Sequence, residues 1–338
     1  MAQTPSGNHT IAVIGAGSWG TALAIAFARA GSGVRLWARD AAQATAMAQT
    51  RRNEAYLPGF ELPTAITVVR DLAAALQGDG DILVAVPSHA FRETLLLIRD
   101  CSPAARGLAW ATKGFELDSG ALPHTVVGEV FGDRLPAAVL SGPTFAKEVA
   151  EGLPSALTVA SHDAEYGRHL AERIATDRFR AYTSGDVAGV EIGGATKNVF
   201  AIGAGLCDGL GFGANTRVAL ITRGLAEMTR LGIELGARRE TFMGLAGIGD
   251  LVLTCTDDLS RNRRFGLALA RGSDAREAMR EIGQVVEGYY AARAVREVAK
   301  QHDVDMPIVA QIYRVLYEQL SPRDAALELM RRPVSDEL

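Results

Sequence analysis

Six residues, Gly15-Ala16-Gly17-Ser18-Trp19-Gly20, constrain this chain more than any other feature. They follow the short apolar run Thr10–Ile14 directly and open a helical pattern over 21–30, so the order reads strand, glycine turn, helix. In such a unit the first glycine permits the tight turn. The second lets backbone approach a pyrophosphate, and the third lets helix and strand pack closely. Free N–H groups and the helix dipole then hold the phosphates. A Rossmann-type dinucleotide site built on Gly15, Gly17 and Gly20 is therefore expected.

The glycine turn heads a longer pattern. Apolar or β-branched runs at 10–14, 34–38, 66–68, 82–86, 107–112, 137–141, 156–160 and 179–183 alternate with helical periodicity. Several are apolar throughout, as strands covered on both faces are. From Gly185 onward the β pattern stops and helical periodicity runs to the end. The expected fold class is α/β, with a Rossmann-type parallel-sheet domain over 1–186 and an all-helical domain over 187–338. Asn215 is placed to cap a helix carrying Val218, Ile221, Leu225 and Met228, with Gly232 closing it. Pro307 suits the first turn of another helix, and Ser321-Pro322 opens the last. The stretch 187–206 holds Gly189, Gly193, Gly194, Gly203 and Gly205, each costing about 1 kcal/mol relative to Ala in a helix interior. Only close tertiary packing can sustain such a helix. Positions 189, 193, 197, 201 and 205 form an i+4 row in which Lys197 alone is charged.

Composition removes several classes of function. At roughly 150 residues per domain, 338 residues suggest two domains. A hydrophobic fraction of 48% with 22% charged residues excludes disorder as the main state. The 35 basic residues are balanced by 39 acidic ones, which gives no electrostatic reason for a nucleic-acid or anionic-membrane partner. No apolar run approaches the ~18 residues of a membrane span. The opening MAQTPSGNH lacks the basic and apolar regions of a secretory signal. Without such a signal the closing Ser335-Asp336-Glu337-Leu338 is a chance likeness to a retention tail. Cys101, Cys207 and Cys255 are widely spaced, and with six scattered His they form no ligand cluster. Reduced thiols in the cytoplasm and no metal are expected.

Chemistry-bearing residues gather at strand ends and helix starts. Arg39 follows the second strand, where its planar fork suits a 2′-phosphate and so favours NADPH. The adjacent Asp40 could support NADH through a ribose hydroxyl. Lys113 and Gly142 follow two later strands and suit an anionic or hydroxylated substrate. Ser260 can cap a helix whose first turn carries Arg261, Arg263 and Arg264, the wrong charge for that helix end. An anionic ligand would resolve the mismatch; pairing with Asp257 and Asp258 is the alternative. Asp250 and Thr254 share one helix face in an apolar segment, where a carboxylate needs a cation. Lys197 is the natural partner, although an Asp at a helix start can also be a plain cap.

The segments GAGSWGTALA, VPSHAF, WATKGFE, SGPTFAKEVA, GGATKNVFAIGAGL, GLAGIGDLVLTC, SRNRRFG and GQVVEG occur in this order from about residue 10 to residue 330. Together they resemble the soluble bacterial NAD(P)-dependent glycerol-3-phosphate dehydrogenases. TKNVFAIGAG and GDLVLTC with SRNRRFG are far more specific than the glycine turn. The resemblance implies the two-domain plan also seen in 6-phosphogluconate dehydrogenase. It implies reversible reduction of dihydroxyacetone phosphate to sn-glycerol 3-phosphate with NADPH or NADH, supplying phospholipid synthesis, and a homodimer. By motif it makes Lys197 the proton donor or acceptor at the substrate C2 oxygen, supported by Asn198, Asp250 and Thr254. It assigns substrate binding to Lys113, Gly142, Thr144, Lys197, Asp250, Ser260, Arg261 and Asn262. Ser18, Trp19, Arg39, Lys113, Ala146, Arg261, Val285 and Glu287 would line the coenzyme. Related β-hydroxyacid and 6-phosphogluconate dehydrogenases share the plan, but SRNRRFG and TKNVFAIGAG argue against them. A non-catalytic dinucleotide sensor would have no need of Lys197, Asp250 and a phosphate grip.

Overall fold

The structure, a computed structural model, describes residues 10–331 apart from Ser102 and Asp133. The N-terminal nonapeptide and the Ser335-Asp336-Glu337-Leu338 tail, read above for targeting signals, lie outside the described residues. The strands are β1 (Thr10–Ile14), β2 (Gly33–Trp37), β3 (Arg52–Asn53), β4 (Leu57–Glu61), β5 (Ile66–Val69), β6 (Asp81–Val84), β7 (Gly107–Trp110), β8 (Ala137–Ser141), β9 (Ser155–Ser161) and β10 (Phe179–Ser184). Each of the eight expected runs is a strand, and all eight join one sheet in the order β10-β9-β8-β7-β6-β1-β2-β5. β1 pairs in parallel with β2 on one side and β6 on the other, through Ile11↔Val34 and Ile11↔Asp81. Every residue of β6 and β7 is buried, as in parallel sheets built by helical crossovers. The chain moves outward from β1 to β5, returns to β6 beside β1, and then runs outward the other way. The order reverses between β1 and β6, the switch point at which open α/β sheets bind ligands. The antiparallel β3–β4 hairpin was not expected from the sequence.

Two compact units result. The first carries the sheet and comprises the chain up to Thr112, His124–Leu140 and Thr144–Gly185. The second runs from Asp186 onward and takes in two short segments that leave the strands, Lys113–Pro123 and Ser141–Pro143.

The second unit is helical and organised around one helix, Val187–Gly209, in which residues 189–206 are all buried. Its glycines explain how. A Cβ on Gly193 would stand 2.2 Å from the Ala246 carbonyl oxygen, and one on Gly205 would stand 2.0 Å from that of Arg263. Neighbouring backbone occupies the space that side chains would need, and this contact offsets the poor helix propensity. Asp186 caps the helix through Gly189 N at 3.0 Å and also accepts from Arg238 N at 2.9 Å.

The punctuation around residues 213–236 differs from expectation. The helix spans Gly213–Glu234, so Asn215 lies inside it and caps nothing. Gly232 is also interior. A Cβ there would come 2.1 Å from the Phe242 ring, so this glycine makes room for an aromatic side chain, and the chain turns at Gly236 with φ +84°. Val218 is 61% exposed although it continues the Ile221 row. The contact line drifts from Gly224 against Phe200 to Leu220 against Gly203, which leaves Val218 outside. Pro307 and Ser321 behave as expected. Helices start at Pro307 and Pro322, the latter capped by Ser321 Oγ accepting from Asp324 N at 3.1 Å.

Candidate active site

The glycine turn has two filled positions and one open one. Gly15 has φ +116°, and a Cβ on it would stand 2.6 Å from the Ala85 carbonyl oxygen at the end of β6. A Cβ on Gly20 would stand 1.9 Å from the Gly15 carbonyl oxygen. Gly17 has nothing within 4 Å of its missing Cβ. It is the N-cap of the helix Ser18–Arg29, which starts three residues earlier than expected, and no side chain among the described residues caps that end. Open space before uncapped N–H groups fits a pyrophosphate. The turn is held by residues that the sequence reading missed. Asn53 Nδ2, buried on β3, donates to the Ala16 carbonyl at 2.9 Å and to Thr21 Oγ1 at 2.7 Å. Gln43 Nε2 donates to the same carbonyl at 2.8 Å.

Around this turn, Ser18 Oγ donates to the Tyr56 carbonyl at 2.8 Å. Trp19 is half-buried and its Nε1 has no hydrogen-bond partner among the described residues. Arg39, just past β2, is exposed and makes no hydrogen bond or ion pair among the described residues. Asp40 instead caps the next helix, its Oδ1 accepting from Ala42 N at 2.7 Å and Gln43 N at 3.1 Å. Ala146 opens the short helix Ala146–Glu151, and Thr144 lies half-buried just before it.

In the helical unit Lys197, Asp250, Thr254 and Lys113 converge. Asp250 begins the helix Asp250–Thr256 after a tight turn, Leu245–Gly249, in which Gly247 leaves helical geometry. Gly193 lets that turn lie directly on the Val187–Gly209 helix, which brings Asp250 to Lys197 one turn further along. Lys197 Nζ is 2.5 Å from Asp250 Oδ1 and 3.1 Å from Thr254 Oγ1. Thr254 gives its own proton to the Asp250 main-chain carbonyl at 2.6 Å, so toward the lysine it is an acceptor. Lys113 Nζ holds Asp250 Oδ2 at 2.8 Å, and its stem lies against Gly194. The carboxylate is 1% exposed and sits between two ammonium groups. Burial pushes its pKa up, but the two lysines overcome this and hold it below the usual carboxylate value. Burial lowers the Lys197 pKa to about 8; Asp250 opposes the shift and the Lys113 charge adds to it. Two of the lysine's three hydrogens have partners among the described residues.

The other expected residues separate into distinct settings. Ser260 caps the helix Arg261–Ala270, its Oγ accepting from Arg263 N at 3.2 Å. Arg261 Nη1 donates to Gln284 Oε1 at 3.0 Å, beside the exposed Val285. Arg263 is buried and paired with Asp208 at 2.6 Å and with Asp258, so it belongs to the framework, while Arg264 faces solvent. Asn262 Nδ2 donates to Asn198 Oδ1 at 2.9 Å, and Asn198 Nδ2 reaches Glu287 Oε2 at 3.3 Å. Gly142 has φ +154°, and Pro143 after it packs against Gly249.

Comparison with known proteins covers both halves of the chain. Residues 10–167 match the family described as NAD-dependent glycerol-3-phosphate dehydrogenase N-terminus, and residues 186–327 match its C-terminus. A glycerol-3-phosphate dehydrogenase (NAD(P)+) of Idiomarina loihiensis is 52% identical over 331 residues, 98% of each chain. Its namesake in Haemophilus influenzae is 52% identical over 336 residues, 99% of each. The crystal structure of glycerol-3-phosphate dehydrogenase from Coxiella burnetii superposes with TM-score 0.93 at 47% identity, covering 96% of this chain and 99% of that one. A ketopantoate reductase of Ralstonia eutropha, at 16% identity and TM-score 0.58 over 94% of this chain and 99% of its own, shares the fold alone. With both halves matched and relatives of this similarity along almost the whole length, the chain belongs to the NAD-dependent glycerol-3-phosphate dehydrogenase family.

Proposed function

We propose that this protein reversibly reduces dihydroxyacetone phosphate to sn-glycerol 3-phosphate, the backbone of glycerophospholipids, with NADPH or NADH as reductant. The observation that carries the reading is the buried Lys197 ammonium, held by Asp250 and Thr254 with one hydrogen left over among the described residues. When bound, the reduced nicotinamide supplies hydride to C2 of the substrate. Lys197 gives its third proton to the C2 oxygen, where negative charge would otherwise develop. In the reverse direction the neutral amine keeps both N–H bonds and turns its lone pair to the alcohol proton. A pKa of about 8 keeps both forms within reach of neutral pH. Asp250 steadies the ammonium, and Lys113 shares that carboxylate while offering its remaining hydrogens to substrate oxygens. Arg261, at a helix N-terminus, grips the phosphate together with free backbone N–H groups, while Ser260, Gly142 and Thr144 complete the substrate contacts.

On the coenzyme side, Gly17 leaves room for the pyrophosphate, and Ser18, Trp19, Ala146, Val285 and Glu287 line the dinucleotide. Arg39, exposed and without a protein partner among the described residues, favours the 2′-phosphate of NADPH. The enzyme works as a homodimer in the cytoplasm, a location supported by three unpaired cysteines. No helix among the described residues is long and apolar enough to cross a membrane. The test is loss of reduced-nicotinamide absorbance with dihydroxyacetone phosphate, measured under NADPH and NADH separately, beside unphosphorylated dihydroxyacetone and ketopantoate. Turnover restricted to the phosphorylated ketone supports the reading, and an inactive, folded enzyme overturns it. Sedimentation equilibrium tests the dimer.

A further inference from the structure

β2 is not alone in ending on an Arg-Asp pair. It runs on through Ala38 to Arg39-Asp40, and its parallel neighbour β5 runs directly into Arg70-Asp71. In both pairs the aspartate caps the helix that follows. Asp40 Oδ1 accepts from Ala42 N at 2.7 Å for the helix Ala41–Thr50, and Asp71 Oδ1 accepts from Ala74 N at 3.2 Å for Leu72–Ala75. Both arginines are exposed, and neither side chain makes a hydrogen bond or ion pair among the described residues. Trp37 and Val69 are the last partners of the β2–β5 ladder, so one step further on Ala38 stands abreast of Arg70. Neighbouring strands lie about 4.8 Å apart, a gap that an arginine side chain spans. Trp37 fastens this edge of the sheet to the glycine turn. Its main-chain oxygen accepts from Gly15 N at 3.1 Å, and its indole Nε1 donates to the Arg70 carbonyl at 3.1 Å. The main chain of Arg70 is thereby tied, through one residue that is 9% exposed, to the turn that receives the pyrophosphate.

We infer that Arg70 is a specificity-determining residue for the 2′-phosphate of NADPH, reaching it from the strand beside Arg39. A phosphate monoester presents three acceptor oxygens and close to two negative charges, more than one guanidinium fork can match. Two guanidinium groups on adjacent strand ends supply both the hydrogens and the charge. The acids next to them are engaged as helix caps and form no ion pair with either. A ribose 2′-hydroxyl carries no charge, so NADH gains little from this pair of arginines. The inference rests on the reading of the glycine turn as a dinucleotide site that favours NADPH, and it adds a second determinant to that preference.

Fluorescence titrations with NADPH and NADH test it on the wild type, Arg70→Ala, Arg39→Ala and the double variant. Arg70→Ala is expected to weaken NADPH at least tenfold and to leave NADH within about twofold, with an unchanged melting midpoint. Arg70→Lys keeps the charge without the fork, so its NADPH affinity should fall between those of the wild type and Arg70→Ala. In the double variant the two coenzymes should converge to within about threefold. Calorimetric titration with adenosine 2′,5′-bisphosphate and with 5′-AMP repeats the comparison without nicotinamide or turnover, and Arg70→Ala should weaken the bisphosphate alone. Equal losses for NADPH and NADH would assign Arg70 to the adenine ring, and no loss for either would leave it a solvated surface arginine. Either result overturns the inference while the NADPH reading stands. A wild type that binds NADH as tightly as NADPH, and 5′-AMP as tightly as the bisphosphate, overturns that reading and the inference with it. A wild type without turnover on dihydroxyacetone phosphate overturns the dehydrogenase reading, and the nucleotide titrations then decide the role of Arg70 by themselves.

Discussion

Replacing Asp250 by Asn should move the working pH range of the enzyme rather than scale its rate. The carboxylate lies between Lys113 and Lys197, and its attraction is what raises the Lys197 pKa against burial and the neighbouring ammonium. Opposite charges about 4 Å apart at an effective dielectric near 20 attract by about 4 kcal/mol, or about three pKa units. Asp250→Asn removes that attraction and leaves burial and Lys113 in place. Lys197 should fall from about 8 to about 5. Ketone reduction needs the protonated lysine, so at pH 7 its competent fraction drops from about nine-tenths to about one-hundredth, roughly a 100-fold loss of rate. The assay is the initial rate of NADPH oxidation from pH 5 to 9, with the reverse reaction over the same range. In the wild type, reduction should decline above about pH 8 and alcohol oxidation should rise through it. In Asp250→Asn both limbs should shift acidward, reduction recovering toward pH 5 and oxidation becoming flat above about pH 6. The two lysines lose their counter-ion, at a stability cost of about 3–5 kcal/mol, so rates are read well below the variant's melting midpoint. A uniform loss at every pH with unmoved limbs would refute the electrostatic coupling.

Three further outcomes follow from the same geometry. Arg39→Ala should weaken NADPH binding by about 1.5–3 kcal/mol, the range for a charge-assisted hydrogen bond, and leave NADH nearly unchanged in fluorescence titrations; equal losses would assign Arg39 another task. Gly17→Ala has open space and an extended φ of −76°, so its melting midpoint should hold while dinucleotide affinity falls at least tenfold; unaltered affinity would show that no phosphate approaches there. Arg261→Ala should lower kcat/KM for dihydroxyacetone phosphate by about 2–3 kcal/mol and affect unphosphorylated dihydroxyacetone much less; equal losses on both, with coenzyme binding intact, would remove the phosphate role.

The strands were legible because parallel strands covered on both faces read as apolar runs between turn residues, and each of the eight runs entered the sheet. The β3–β4 hairpin was not legible. β3 is two residues long, and β4 carries Pro58-Gly59 and is mostly exposed, against every pattern that marks a strand. Yet Asn53 from that hairpin fixes the Ala16 carbonyl of the dinucleotide turn, so a supporting residue of the site came from the least readable element. Asn215 and Gly232 misled for a related reason. Local punctuation is weak, and a Phe242 ring that needs the space of an absent side chain can place a glycine inside a helix as readily as an end can.

What made the Lys197–Asp250 cluster readable was a debt in physical chemistry visible along the chain. A carboxylate in an apolar helix requires a cation, and a glycine-rich helix with one lysine requires something to pack on it. Those two demands meet at Lys197 and Asp250, 53 residues apart. Lys113 answers the same carboxylate from 137 residues away, and no spacing rule reaches that far. The arginine turn illustrates the limit from the other side. Arg261, Arg263 and Arg264 present one excess of positive charge in sequence, but Asp208 arrives from the far end of the Val187–Gly209 helix to engage Arg263. A partner distant in sequence thus decides which of three equal-looking arginines is neutralised by carboxylates. Arg263 is engaged by its carboxylates and Arg264 points to solvent, whereas Arg261 has the neutral Gln284 as its hydrogen-bond partner among the described residues.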